Sequence, residues 1–149
     1  MRRVAQIALL AVAGSLLVPA FGTLSASAAE VATAAPSCGK LTGTITTTFT
    51  VSSCTPTNAS YKSASAKSSA LASGKGTLTW SPSKKTTTVT ISISQGGSGC
   101  AVGSSEYKVK GSVSGGTATF TKKKQAVSAS VCVSATGTLS LVPKTRMAL

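Results

Sequence analysis

Three Ser-x-x-Lys pairs could in principle place a lysine amine beside a serine hydroxyl and activate it for nucleophilic attack. The pairs are Ser37 with Lys40, Ser81 with Lys84, and Ser105 with Lys108. This chemistry needs both side chains on one turn of a helix, and all three pairs fall in sequence that is typical of loops or strands. In a chain so rich in serine and lysine, such matches arise by chance, so the pairs do not predict a catalytic site.

Most other catalytic and metal-binding groups are missing from the sequence. It contains no histidine and no aspartate, and its two carboxylates are Glu30 and Glu106. These residues cannot supply a Ser-His-Asp triad, a carboxylate pair for glycoside hydrolysis, or the usual ligands of zinc and calcium. We therefore expect a protein that is not an enzyme and that has no catalytic, metal or cofactor site.

The four cysteines of the chain are Cys38, Cys54, Cys100 and Cys132. An even number of cysteines in an exported chain, without Cys-x-x-Cys pairs or histidine, predicts two disulfides. Of the three pairings that four cysteines allow, we favour the sequential one, first with second and third with fourth. If residues 44–52 formed an unbroken strand, Cys38 could reach Cys54 only where the chain bends back near Gly43. Without that bend, the cysteines would have to cross-pair.

Residues 1–29 have the pattern of a secretory signal peptide. Arg2 and Arg3 precede an apolar run over residues 7–21, and small residues follow it. The run is shorter than the ~20 residues of a membrane-spanning helix. We predict cleavage near Ala28 or Ala29 and export of a chain without a transmembrane segment. Residues 30–37 are then a flexible leader, and residues 38–149 form a single disulfide-bonded domain.

The predicted domain shows strand-like alternation over most of its length. The pattern is clearest over residues 86–95, where Val89, Ile91 and Ile93 share one face and Thr and Ser occupy the other. About seven short strands, one of them over residues 117–121, are separated by Gly/Ser turns and indicate an all-β fold. We predict an immunoglobulin-like β-sandwich, with a small open barrel as the alternative. The Ser/Ala/Lys-rich segment 55–73 is predicted to be a long flexible loop that contains at most a short helix.

Lysine dominates the charge of the chain, which has 15 basic and 2 acidic residues and a net charge of +13. The candidate polyanion-binding residues are Lys84, Lys85, Lys108, Lys110, Lys122, Lys123 and Lys124. Lysines on outer strand faces also keep sheet edges from pairing with other chains, so a functional and a solvating interpretation both remain open. Sequence-specific nucleic-acid binding is not expected, because arginines interleaved with aromatic residues are lacking.

Three segments carry a family resemblance: residues 76–80, the hairpin 110–116, and residues 135–139. With the Ser/Thr alternation up to Gln95, the signal sequence and the few cysteines, the chain resembles small exported β proteins of actinobacteria, most of which have no assigned function. The resemblance implies a secreted bacterial protein with a sandwich fold, and it implies no activity or site. The chain departs from that group in its lysine content, for example at Lys84 and Lys85, where many members have Asn-Gly or Asp-Gly.

Two classes of function remain for an exported protein without catalytic groups. The first is a cell-envelope-associated module that binds an anionic polymer through its lysines. The second is a small secreted effector, either a protease inhibitor that acts on a secreted protein or a cationic antagonist of other cells. Residues 96–105, around Cys100, are the candidate inhibitory loop because they lie next to a predicted disulfide. A carrier of an apolar small molecule is a third option. The scarcity of aromatic residues argues against it, because ligand pockets are usually lined with such residues.

Overall fold

A computed structural model describes residues 35–57 and 61–149, which form an all-β fold with one short helix. The predicted signal peptide, its cleavage site and most of the predicted leader lie outside the described residues. The elements in chain order are β1 (Ser37–Gly43), β2 (Thr48–Thr55), β3 (Tyr61–Lys67), α1 (Ser69–Ser73), β4 (Lys75–Pro82), β5 (Thr86–Gln95), β6 (Ser104–Gly116), β7 (Ala126–Ser134), β8 (Leu139–Leu141) and β9 (Met147–Ala148).

These strands form one antiparallel sheet that closes on itself as a barrel. Strands β1 to β7 follow each other around the sheet, and each is hydrogen-bonded to the next. Both β8 and β9 pair with β7, and β9 also pairs with β1, which closes the ring. Together β8 and β9 act as one eighth strand, interrupted by residues 142–146. Arg146 anchors this interruption by donating hydrogen bonds to the carbonyls of Ser37 and Ser53.

The predicted immunoglobulin-like sandwich is wrong, because a sandwich consists of two packed sheets with free edges. Here β7 joins β6 on one side and β9 on the other, so the sheet is continuous. The structure fits the alternative of a small barrel, although the barrel is closed rather than open. Alternating sequence does not distinguish these folds, since a strand with one buried face reads the same in both.

Two segments differ locally from the sequence-based prediction. Tyr61–Lys67 is a strand in the middle of the predicted 55–73 loop, and its inward residues include Ala64 and Ala66, which are both buried. Alanine and serine are weak strand formers, so the burial of small side chains here left no clear pattern in the sequence. Residues 117–121, predicted as a strand, form turns, and Phe120 reaches from them into the end of the barrel.

The fold also begins earlier than predicted, because Ser37 already belongs to β1. Pro36 is buried, and its carbonyl accepts a hydrogen bond of 2.9 Å from the backbone N–H of Leu149. The last residues of the predicted flexible leader are therefore part of the barrel.

Both disulfides have the sequential pairing that the sequence analysis favours. The chain bends back after Gly43, so β1 and β2 form a hairpin in which Cys38 lies opposite Cys54. Cys132 lies on the outer face of β7 and binds Cys100 in the loop of residues 96–103, which we call the wall loop. Two disulfides indicate an oxidising compartment. In the part of the chain that the structure describes, no helix is long and apolar enough to cross a membrane.

Candidate binding site inside the barrel

Large rings fill one end of the barrel, where β1 and β3 begin. Tyr61, Trp80 and Phe120 pack together there, and no more than 8% of any of the three residues is exposed. The ring centroids of Tyr61 and Phe120 are 4.1 Å apart, and those of Trp80 and Phe120 are 5.0 Å apart. We call this the aromatic end, and the opposite end, where β5 ends and β6 begins, the open end.

Two buried threonines satisfy the polar atom that Trp80 brings into the aromatic end. The indole Nε1–H of Trp80 donates a hydrogen bond of 2.8 Å to Oγ1 of Thr87. The hydroxyl of Thr87 in turn lies 2.9 Å from that of Thr121. A buried N–H without a partner is costly, so this chain of hydrogen bonds lets the largest side chain of the protein serve as core. Trp80 is consequently a structural residue.

The other half of the interior contains a cavity of about 380 Å³. Its lining is mostly aliphatic, with Leu41, Leu78, Val89, Val109, Ala129 and Val131 among others, and Phe49 and Tyr107 add two rings. The volume lies within the roughly 300–1,000 Å³ of small-molecule sites, and an eight-stranded barrel is wide enough to hold one small ligand. Apolar cavities accept apolar molecules. The interior is therefore a candidate site for an apolar guest.

Burial decreases along the inward face of β5 towards the open end. Thr87 is completely buried, Val89 is 6% exposed, and Ile93 is 39% exposed. Ile45, in the turn between β1 and β2, is 48% exposed and lines the same cavity. Isoleucines that line the interior and still reach solvent mark the place where the cavity opens. Ile45 and Ile93 therefore form an apolar mouth.

The wall of the barrel is incomplete near this mouth. The pairing of β3 with β4 ends at Ser65 and Thr79, so the strands separate beyond that point. Helix α1 covers the gap and packs on β4. Its Ala70 lies so close to Gly76 that a Cβ at Gly76 would be only 2.3 Å from that of Ala70. Glycine at this position thus allows the helix to seat against the strand.

Helix α1 is attached to the barrel mainly through the residue that precedes it. The backbone N–H of Ser68 donates a hydrogen bond of 2.9 Å to the carbonyl of Thr47, and its hydroxyl donates to the carbonyl of Thr44. None of the five residues of the helix is itself buried. The helix is therefore a thin cover over the gap between β3 and β4, and its partly buried Leu71 packs against the core.

The structure divides the seven candidate polyanion-binding lysines into two groups. Lys84 and Lys85, before β5, and Lys122, Lys123 and Lys124, before β7, lie at the aromatic end. We call the loop before β5, with Lys84 and Lys85, and the loop between β6 and β7, with Lys122, Lys123 and Lys124, the lysine loops. The two loops are linked where the backbone N–H of Thr86 donates a hydrogen bond to the hydroxyl of Thr117. Lys108 and Lys110 instead lie on the exposed face of β6. Only the lysine loops form a candidate polyanion surface.

Glu106 is the one side-chain carboxylate among the described residues, and it is buried beneath the wall loop. Its Oε1 lies 2.6 Å from Nζ of Lys108, and its Oε2 accepts a hydrogen bond of 2.8 Å from the N–H of Gly99. The hydrogen bond from Lys108 and then that from Gly99 hold the pKa of Glu106 below its usual value of 4.5, although burial opposes the shift. Glu106 is thus an ionised anchor for the wall loop.

The remaining sequence candidates lie apart from the cavity. All three Ser-x-x-Lys pairs lie on strands or at the end of one, and none lies on a helix. The candidate inhibitory loop is tied to the outer wall by the disulfide of Cys100, and Val102 within it is fully exposed. The cavity was not predicted from the sequence. Phe49 and Tyr107 line it together with Ala, Val, Leu and Ile residues, so the positions of the rings alone do not mark the hollow half.

No protein-family model, curated protein or solved structure matches this chain. The features that bear on function are those of the molecule itself, a closed, disulfide-bonded barrel whose interior is packed at one end and hollow at the other.

Proposed function

We propose that this chain is an exported, non-catalytic carrier that binds one apolar small molecule inside its barrel. The observation that supports the proposal most directly is the aliphatic cavity of about 380 Å³ with its mouth at Ile45 and Ile93. At the roughly 30 Å³ that a water molecule occupies in the liquid, such a cavity of about 380 Å³ holds on the order of a dozen heavy atoms.

The energetics of packing support the same assignment. Unfilled interior volume costs roughly 24 cal/mol per Å³ in a rigid core, so a domain selected only for stability would fill this space. A guest molecule regains that packing and adds about 0.8 kcal/mol for each methylene it buries. A hollow interior is therefore a cost that ligand binding offsets.

The test is a binding series with uncharged straight-chain alcohols, which compete with the neutral fluorescent probe 1-naphthylamine, a molecule small enough for the cavity. Affinity should rise about fourfold per added methylene and level off once the chain fills the cavity. Ala129→Leu places a larger side chain in the cavity and should weaken binding about tenfold or more. Ala126→Leu, on the exposed face of the same strand, is the matched control and should bind like the unchanged protein. Absence of probe binding, or equal effects of the two substitutions, would count against the proposal.

A second candidate function, attachment to an anionic envelope polymer, is favoured by the lysine loops. Five lysines lie in these two segments at one end of the barrel. Polyanion contacts weaken as salt screens and replaces them. Purified protein should therefore bind insoluble envelopes at low salt, lose binding as salt rises, and fail to bind envelopes stripped of anionic polymer. Salt-resistant binding, or binding that survives replacement of the five lysines by glutamine, would argue against this function.

A further inference from the structure

We infer that the guest is a single-chain amphiphile with an anionic headgroup, whose chain lies in the barrel cavity and whose headgroup lies in a groove beside α1. The inference rests on the proposed function, since it names the class of ligand for the same cavity. It comes from a second hollow on the outer side of the gap between β3 and β4.

The groove beside α1 has a volume of about 520 Å³, and its lining carries two lysines and several hydroxyl groups. Lys67 ends β3 and Lys75 begins β4, so the two lysines lie on either side of the gap. Hydroxyl groups complete the lining, and they belong to Ser65, Ser69, Ser73 and Thr77 among others. Ammonium and hydroxyl groups together are donors for a carboxylate or a phosphate.

The groove and the barrel cavity are separated only by a thin partition. Ala66, Ala70 and Gly76 line both of them. These residues have the smallest side chains available, and Ala70 belongs to a helix without a fully buried residue, whose Leu71 is only partly buried against the core. A small outward movement of α1 therefore joins an aliphatic chamber to a cationic groove, so that one molecule can occupy both.

Charge balance at the groove favours an anion from outside the described chain. The one side-chain carboxylate of the described residues, Glu106, is bound to Lys108 on the outer wall. Lys67 and Lys75 are exposed, and neither forms an ion pair with another described residue. The aliphatic cavity, in contrast, cannot solvate a charge. A ligand with an apolar chain and one anionic end satisfies both regions at once.

The experiment compares dodecanoate, dodecyl phosphate and dodecanol, each below its micellar concentration, for binding to the full chain. An exposed ion pair contributes a few-fold in affinity, so two lysines together should make the anions bind up to about tenfold tighter than the alcohol at low salt. This advantage should shrink at about 0.5 M salt. In Lys67→Gln/Lys75→Gln the advantage should disappear while dodecanol binding stays unchanged. Tighter binding of either anion than of dodecanol supports the inference, and the anion that binds more tightly identifies the headgroup as a carboxylate or a phosphate.

The matched control is Lys122→Gln/Lys124→Gln, which removes the same charge from the opposite end of the barrel and should keep the full preference. Equal losses in both double variants, or equal affinity of anion and alcohol for the unchanged protein, would overturn the inference and leave the carrier function intact. Binding of none of the three compounds would instead refute the carrier function. A nitroxide next to the carboxylate should also broaden the amide signals of Ser69 and Ser73.

Discussion

The two ends of the barrel share the same strands and differ in what fills them. At the aromatic end, Trp80, Tyr61 and Phe120 occupy the interior completely, and hydrogen bonds satisfy the buried indole. At the open end, valines, alanines and isoleucines leave a cavity and reach solvent at the mouth. A chain in which aromatic residues make up only 4% of the sequence has few large side chains to distribute. Packing three of them against one another at one end stabilises the barrel, whereas Phe49 and Tyr107 at the other end line the cavity without filling it.

The largest contrast between the ends should appear when one large side chain is truncated at each. Trp80→Ala removes a fully buried ring and should lower the free energy of unfolding by about 3–5 kcal/mol. Ile93→Ala removes a side chain from the exposed mouth and should cost less than about 1 kcal/mol. Urea unfolding of the two variants measures both values. Similar losses would mean that the open end is packed as firmly as the aromatic end.

Removing the disulfides one at a time tests how far the open half depends on covalent support. The bridges span 16 and 32 residues, and loop entropy predicts losses of about 3 and about 4 kcal/mol for the respective double alanine variants. Loss of the Cys100–Cys132 bridge should also speed amide hydrogen exchange in the wall loop, with little local effect around Trp80. Uniform acceleration over the whole barrel would show that the two ends unfold as one unit.

The strand pattern and the disulfides were largely accessible from the sequence, whereas closure of the sheet was not. The alternation over residues 86–95 predicted β5 at the observed bounds, and the outward position of Cys132 follows from the inward valines on either side of it. Closure depends on β9 pairing with β1, where Ser37 lies opposite Ala148, and no local pattern encodes a pairing between residues so far apart in the chain. The strand at Tyr61–Lys67 was missed because its buried side chains are small.

The candidate site was hidden for a related reason. Val89, Ile91 and Ile93 were correctly predicted to share one face, but only the closed barrel shows that this face lines a cavity at one end and a packed core at the other. Lys67 and Lys75 lay in or next to the predicted loop. Their placement on either side of one gap depends on where β3 and β4 separate, which is a property of the assembled sheet.

Enlarging an alanine should have opposite consequences at the two ends. Ala64 is 1% exposed and pairs with Trp80 across β3 and β4, so Ala64→Leu overpacks the interior and should cost about 1–3 kcal/mol. Ala129 lines the cavity, so Ala129→Leu has room and should be neutral or stabilise by up to about 1 kcal/mol. Thermal unfolding of both variants provides the comparison. A loss of stability in Ala129→Leu as large as that in Ala64→Leu would mean that the cavity does not accept added volume.

The smallest expected effect is an acid sensitivity confined to the wall loop. The hydrogen bonds from Lys108 and Gly99 keep the pKa of Glu106 lower in the folded protein than the usual value of 4.5. The unfolded chain therefore binds a proton more readily, and unfolding becomes easier as protons are added. The contribution of Glu106 to stability is complete above about pH 4.5 and is lost as the pH falls through the lower, folded-state value. Acid should accordingly loosen the wall loop before the aromatic end, which hydrogen exchange at a series of pH values measures. Glu106→Gln, which cannot titrate, should abolish this pH dependence, and its persistence in that variant would assign it to another group.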